Sequence, residues 1–206
     1  MRKIQKTEPP QEFIDFCKSM PGVSFENLSG EPKNALRKRL LEDQGYICCY
    51  CGRRVDDSNT KIEHIKPQKL FPELSLDFKN MLASCDGGEK DRSEGAKKNE
   101  HGTHCDAKKG NRIIPCSPLE DVEELFHYFA DGTVVGTGNG YDTVNILGLN
   151  TQFLVHQRKA AIESYKIYPP QNWSDEYKRL LRRKDDGKFV EYCFVLQSYI
   201  IHEKLN

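Results

Sequence analysis

The stretch Cys48-Cys49-Tyr50-Cys51-Gly52, followed by Ile62-Glu63-His64-Ile65-Lys66-Pro67, decides how this chain is read. Cys48 and Cys51 form a Cys-x-x-Cys pair in a tight turn ending in glycine. Such a turn points two thiolates at one place and suits tetrahedral Zn²⁺. Two more ligands are needed. Cys85 follows Cys51 after 33 intervening residues and Cys105 after a further 19, with His104 beside it. Four sulfurs from two separate loops would make a closed, structural site. A thioredoxin-like redox pair is the competing reading, but no βαβ pattern surrounds Cys48 and Cys51. Four unrelated buried thiols are the other. Cys17, Cys49, Cys116 and Cys193 sit in apolar or undistinguished contexts and read as packing residues.

Between the two halves of that cysteine set lies Glu63-His64, two adjacent polar residues ending an otherwise apolar strand. Histidine is the side chain best suited to general-base work near neutral pH. A neighbouring carboxylate suits Mg²⁺, which prefers oxygen ligands and keeps several waters. Alone the pair is a weak signal. Its place between Cys-x-x-Cys and a second cysteine pair makes it a specific one.

Outward from this centre, the chain has 206 residues, 31 basic and 31 acidic side chains, and 37% hydrophobic residues. No run approaches the ~18 apolar residues of a membrane span, and the first residues lack the apolar stretch of a signal peptide. A cytoplasmic protein is therefore expected, in which eight cysteines are thiols or metal ligands rather than disulfides. Zero net charge argues at first sight against nucleic acid, but it averages unlike segments. Residues 33–69 carry nine basic and five acidic side chains, residues 115–145 six acids and no Lys or Arg, and residues 158–188 nine basic and five acidic. Only local charge matters to a phosphate within a Debye length of ~8 Å.

Hydrophobic spacing predicts helices over 11–20 and 33–44, the second on Leu36, Leu40 and Leu41, which are expected to pack on the cysteine turn. Short strands are predicted at 47–54 and 61–65, around the turn Asp56-Asp57-Ser58-Asn59. Residues 87–102 read as a hydrophilic inserted loop, and 125–135 as an acidic hairpin around Asp131-Gly132. Helices are expected at 151–165, 174–184 and 188–205, the last with an apolar face wide enough for ordinary core.

Taken together, Cys48-x-x-Cys51, Glu63-His64-Ile65-x-Pro67, Asp77-x-x-Asn80-Met81-Leu82, Cys85 and Cys105-Asp106-Ala107-Lys108-Lys109-Gly110-Asn111 resemble the HNH endonuclease family. The resemblance covers residues 45–111, and the layout is similar to the HNH subunits of Septu anti-phage and retron systems. It implies an α+β fold: a small ββα-metal (His-Me finger) core with a structural zinc knuckle, embedded in a mostly helical chain. The expected parts are an N-terminal arm (1–32), the nuclease core (33–116), and the acidic hairpin with a C-terminal helical region (117–206). Carried over residue by residue, His64 is the general base and Glu63 the acidic ligand of a catalytic Mg²⁺ or Mn²⁺, with Glu in place of the usual Asp. Asn80 holds the metal loop through backbone hydrogen bonds. Asp106 stands where the family has its final His or Asn, so the second metal ligand is open, with His104 and His101 as alternatives. Lys109 and Asn111 match a Lys-x-Asn tail near phosphate, and Lys108 and Arg112 add charge there. A helix beginning near Cys105 is expected to present backbone N–H groups to the phosphate.

The resemblance also implies a nucleic-acid substrate, DNA ahead of RNA, and an ABC/SMC-type ATPase as partner. The competing reading is a zinc-dependent nucleic-acid-binding or adaptor subunit whose HNH motif does not cleave.

Overall fold

The computed structural model describes residues 1–19, 22–88 and 102–205. The His101 alternative, and most of the predicted loop at 87–102, lie outside the described residues. The first helix, α1 (Gln11–Lys18), follows Pro9-Pro10 and buries Phe13 against α2 (Gly30–Asp43). In α2, Leu36, Leu40 and Leu41 form the buried face, and the helix stops at Gly45, which takes a φ of +58°. Gln44 then ties its end to the centre of the fold. Its amide donates to the carbonyls of Ile47 and Ala83 and accepts from Ala83 N–H.

The predicted strand at 47–54 is instead a hairpin-like turn closed by a single bridge between Ile47 and Arg54. Cys48 N–H donates to Arg53 O and Gly52 N–H to Cys48 O, so the chain reverses within these residues and has no length left for a ladder. The strand at 61–65 appears one residue earlier, as β1 (Thr60–His64). It pairs antiparallel with β2 (Met81–Cys85), Glu63 opposite Leu82 and His64 opposite Met81. Every residue of β2 is buried, which fits its apolar sequence and its position between α2 and α3 (Cys105–Lys109). The helix expected near Cys105 is present as α3, five residues long.

The acidic hairpin forms as β3 (Phe126–Tyr128) and β4 (Val134–Gly136). Beyond it lie α4 (Asn139–Leu147), α5 (Gln152–Ile167), α6 (Trp173–Leu180) and α7 (Cys193–Lys204). Sequence spacing misses α4, because its buried positions 140, 143, 144 and 147 are Gly, Thr, Val and Leu. The helical period is there, but half of it is carried by residues that do not read as apolar. The last predicted helix begins later than expected, at Cys193. Residues 188–192 run beside the cysteine turn, with Phe189 N–H donating to Gly45 O, Tyr192 N–H to Gly52 O and Glu191 accepting from Arg54 N–H. The first eight residues of α7 except Ser198 are all buried, so this helix is core. Residues of all three expected parts join one hydrophobic cluster, from Phe13 through Leu40 and Cys85 to Val195. No helix among the described residues is long and apolar enough to cross a membrane.

Candidate active site and metal centre

Cys48, Cys51, Cys85 and Cys105 come together from the turn, the end of β2 and the start of α3, with all four sulfurs within 4.8 Å of one another. All four residues are buried. Two Sγ–Sγ separations, Cys48–Cys105 and Cys51–Cys85, are both 3.9 Å. The edge of a tetrahedron with Zn–S near 2.3 Å is ~3.8 Å. Four thiols so arranged could hold a metal ion such as zinc. His104 stands on this side of the site: its Nδ1 is 3.3 Å from Cys105 Sγ and 3.7 Å from Cys85 Sγ, and its ring stacks on Phe153. That placement sets its Nδ1 among the sulfurs. Gly87 allows the close approach, since a Cβ there would sit 2.4 Å from His104 O, and its φ is +65°.

On the other side, Glu63 is 2% exposed. Its Oε1 takes two donors, the Tyr50 hydroxyl at 2.8 Å and the Lys109 ammonium at 2.7 Å. Lys109, itself 2% exposed, also donates to His64 O at 2.7 Å. The Asp106 carboxyl lies near enough to act on Glu63 as well. Burial pushes the Glu63 carboxyl up to about 8, with Asp106 adding to the rise and Lys109 opposing it. Glu63 is thus a buried carboxyl with a second, half-buried one, Asp106, beside it and the Lys109 ammonium on its Oε1. A divalent cation between Glu63 and Asp106 would supply the positive charge that favours their ionised forms, so these residues fit such an ion by their chemistry.

His64 is 5% exposed and held at both ring nitrogens. Nε2 lies 2.9 Å from Ser75 O, and Gln68 Nε2 lies 3.1 Å from Nδ1. A carbonyl oxygen can only accept, so Nε2 carries the proton and Nδ1 keeps its lone pair, accepting from the Gln68 amide. Burial holds the imidazole below its ordinary value and Lys109 adds to this, while the bond to Ser75 and the Asp106 charge oppose it. Phe25, from the N-terminal arm, meets the ring edge-on with centroids 4.7 Å apart. Asn80 clamps the loop before β2. It donates to Lys66 O and Leu74 O and accepts from Lys66 N–H.

The remaining predicted residues are dispersed. Lys108 and Asn111 are exposed. Lys109 is spent on Glu63 and His64, and the Arg112 guanidinium on the carbonyls of Lys108, Lys109 and Ile146. Neither is placed as the phosphate contact expected of it: one is a buried counter-charge, the other closes the end of α3. Sequence reasoning missed Tyr50, Gln68, Ser75 and Phe25. Tyr50 alone carried a signal, lying with Cys49 between Cys48 and Cys51.

No family model matches the chain. Curated proteins do. It is 32% identical over 144 residues to the Septu protein PtuB of Bacillus thuringiensis, a match covering 68% of this chain and 47% of that protein. It is 33% identical over 99 residues to "Retron Ec83 putative HNH endonuclease" of Escherichia coli, covering 43% of this chain and 38% of the relative. The chain resembles the HNH proteins of Septu and retron systems. A third HNH relative, "Retron Vc95 putative HNH endonuclease" of Vibrio cholerae serotype O1 biovar El Tor, is 28% identical over 145 residues, covering 64% of this chain and 65% of that protein. The chain thus spans between 38% and 65% of the length of these HNH relatives. Two of these three names are those of putative HNH endonucleases of retrons.

Proposed function

We propose that this protein is a metal-dependent HNH endonuclease that hydrolyses phosphodiester bonds of nucleic acid, as the nuclease effector of an anti-phage defence complex. The observation that carries the reading is the ring state of His64. With Nε2–H fixed on Ser75 O, Nδ1 is the basic nitrogen, on the residue that follows buried Glu63 in β1 and feels the charge of Asp106. A general base so oriented accepts the proton of the attacking water and contributes ~10²–10⁴-fold. Phe25 and Gln68 must move aside to let that water in. Lys109 fixes the His64 carbonyl and neutralises Glu63, and Asn80 holds the loop that carries Ser75 in place. Mg²⁺ or Mn²⁺ at Glu63 and Asp106 supplies Lewis-acid stabilisation of developing charge and of the leaving oxygen.

The four cysteines then hold a structural zinc, and β1, β2 and α3 are the ββα-metal core of the 33–116 part, with the 1–32 arm and the 117–206 part packed around it. DNA is favoured over RNA, and the exposed Lys108 and Asn111 are the phosphate contacts that remain. Overall neutrality implies weak unaided binding and recruitment by a partner, for which an ABC/SMC-type ATPase in the cytoplasm is the candidate. The test is cleavage of DNA and RNA by purified protein with Mg²⁺ or Mn²⁺, with and without the ATPase and ATP. His64→Ala is expected to lose at least ~100-fold in rate while keeping its zinc. Unchanged cleavage by the variant in a clean preparation would reject the reading. Binding without cleavage by the wild type under every condition would leave the adaptor.

A further inference from the structure

We propose that Tyr50, carried inside the cysteine turn, is a positioning residue that pins Glu63 and so couples the four-cysteine cluster to the carboxylate pair. The inference rests on reading Glu63 and Asp106 as ligands of a divalent ion. Tyr50 lies in the turn between Cys48 and Cys51, two members of the cluster, so its backbone is held from both ends of that turn. Its side chain is fully buried and reaches out of the turn to β1, where the hydroxyl donates to Glu63 Oε1. Burial and the nearby Glu63 push the phenol well above its ordinary range, which keeps it a donor.

The consequence lies in how the oxygens of Glu63 are divided. Oε1 already takes two donors, Tyr50 and Lys109. That leaves Oε2, which takes no nitrogen or hydroxyl donor among the described residues, as the oxygen to serve an ion shared with Asp106. One-oxygen ligation suits Mg²⁺ and Mn²⁺, which accept one or two carboxylates and retain water, better than Ca²⁺ with its larger ligand shell. The partner carboxylate is tethered to the same cluster, because Asp106 directly follows Cys105. Both acids of the pair are therefore held by the cysteine centre, one through a phenol and one through the chain.

Such outer contacts typically carry 10–100-fold in metal affinity. The experiment measures Mn²⁺ binding to the full chain by electron paramagnetic resonance, beside the zinc content of the same samples. Tyr50→Phe, which removes only the hydroxyl, is expected to bind Mn²⁺ about tenfold or more weakly with its zinc unchanged. Wild-type affinity within twofold in Tyr50→Phe, with Glu63→Gln abolishing binding, overturns the role of Tyr50 and leaves the metal site standing. Absence of Mn²⁺ binding by the wild type overturns the metal site itself, and this inference with it. A second measurement does not depend on the variant folding: 3-fluorotyrosine placed at position 50 should shift its fluorine resonance when Mg²⁺ saturates the protein. It should not shift in the Glu63→Gln background, and a resonance unmoved by Mg²⁺ in the wild type counts against the proposal.

Discussion

His64 shows how a side chain legible in the sequence takes its chemistry from neighbours that are not. The Glu-His pair marks it as a base, but the choice of nitrogen belongs to Ser75 and Gln68, which are 11 and four residues away along the chain. A pH dependence follows. Burial lowers the affinity of the ring for its proton relative to 6.5. The ring therefore protonates only on going to lower pH than an exposed histidine, and the neutral base persists below pH 6.5. The acidic limb of the cleavage rate against pH is expected to have its midpoint below 6.5. A midpoint at or above that value would show that burial does not govern the base.

At the scale of elements, the cysteine turn is held by its glycine. Gly52 has a φ of +78°, and a Cβ there would lie 2.7 Å from Phe194 Cζ, while its carbonyl accepts from Tyr192 N–H. Gly52→Ala combines left-handed strain with a clash against a buried ring from α7, and should destabilise the protein by about 2–3 kcal/mol in denaturant unfolding. Gly110, at the end of α3, has a φ of +54° but nothing within 4 Å of its would-be Cβ. Gly110→Ala carries backbone strain alone, at a ψ of −129° outside the left-handed helical region, and should cost about 1–3 kcal/mol. A loss below about 1 kcal/mol for Gly52→Ala would mean that the turn and α7 are not rigidly docked. The short elements explain the boundary errors as well. An isolated bridge and a five-residue helix have too few positions to write a period into the sequence, whereas α2 and α5 are long enough to do so.

For the whole molecule, the cysteine cluster joins segments that are far apart in the chain, and the C-terminal segment 188–192 lies along the same turn. A metal held there should contribute directly to folding. Stripping it with a strong chelator is expected to lower the melting temperature of the entire chain as one transition, read by calorimetry. An unchanged transition would mean that the four thiols hold no ion that matters for stability.

The sequence by itself determined the four-cysteine set, the helices with regular apolar spacing, the acidic hairpin and the central Glu-His pair. Each is written locally, as ligand chemistry, a hydrophobic period or a turn signal. Tertiary structure alone decided that Lys109 is a buried counter-charge, that His104 Nδ1 lies against sulfur, and that the Tyr50 hydroxyl reaches Glu63. The physical reason is the same in each case. A long polar side chain can serve solvent, phosphate or a buried partner with equal ease, and only the burial around it and the charge within reach select among them.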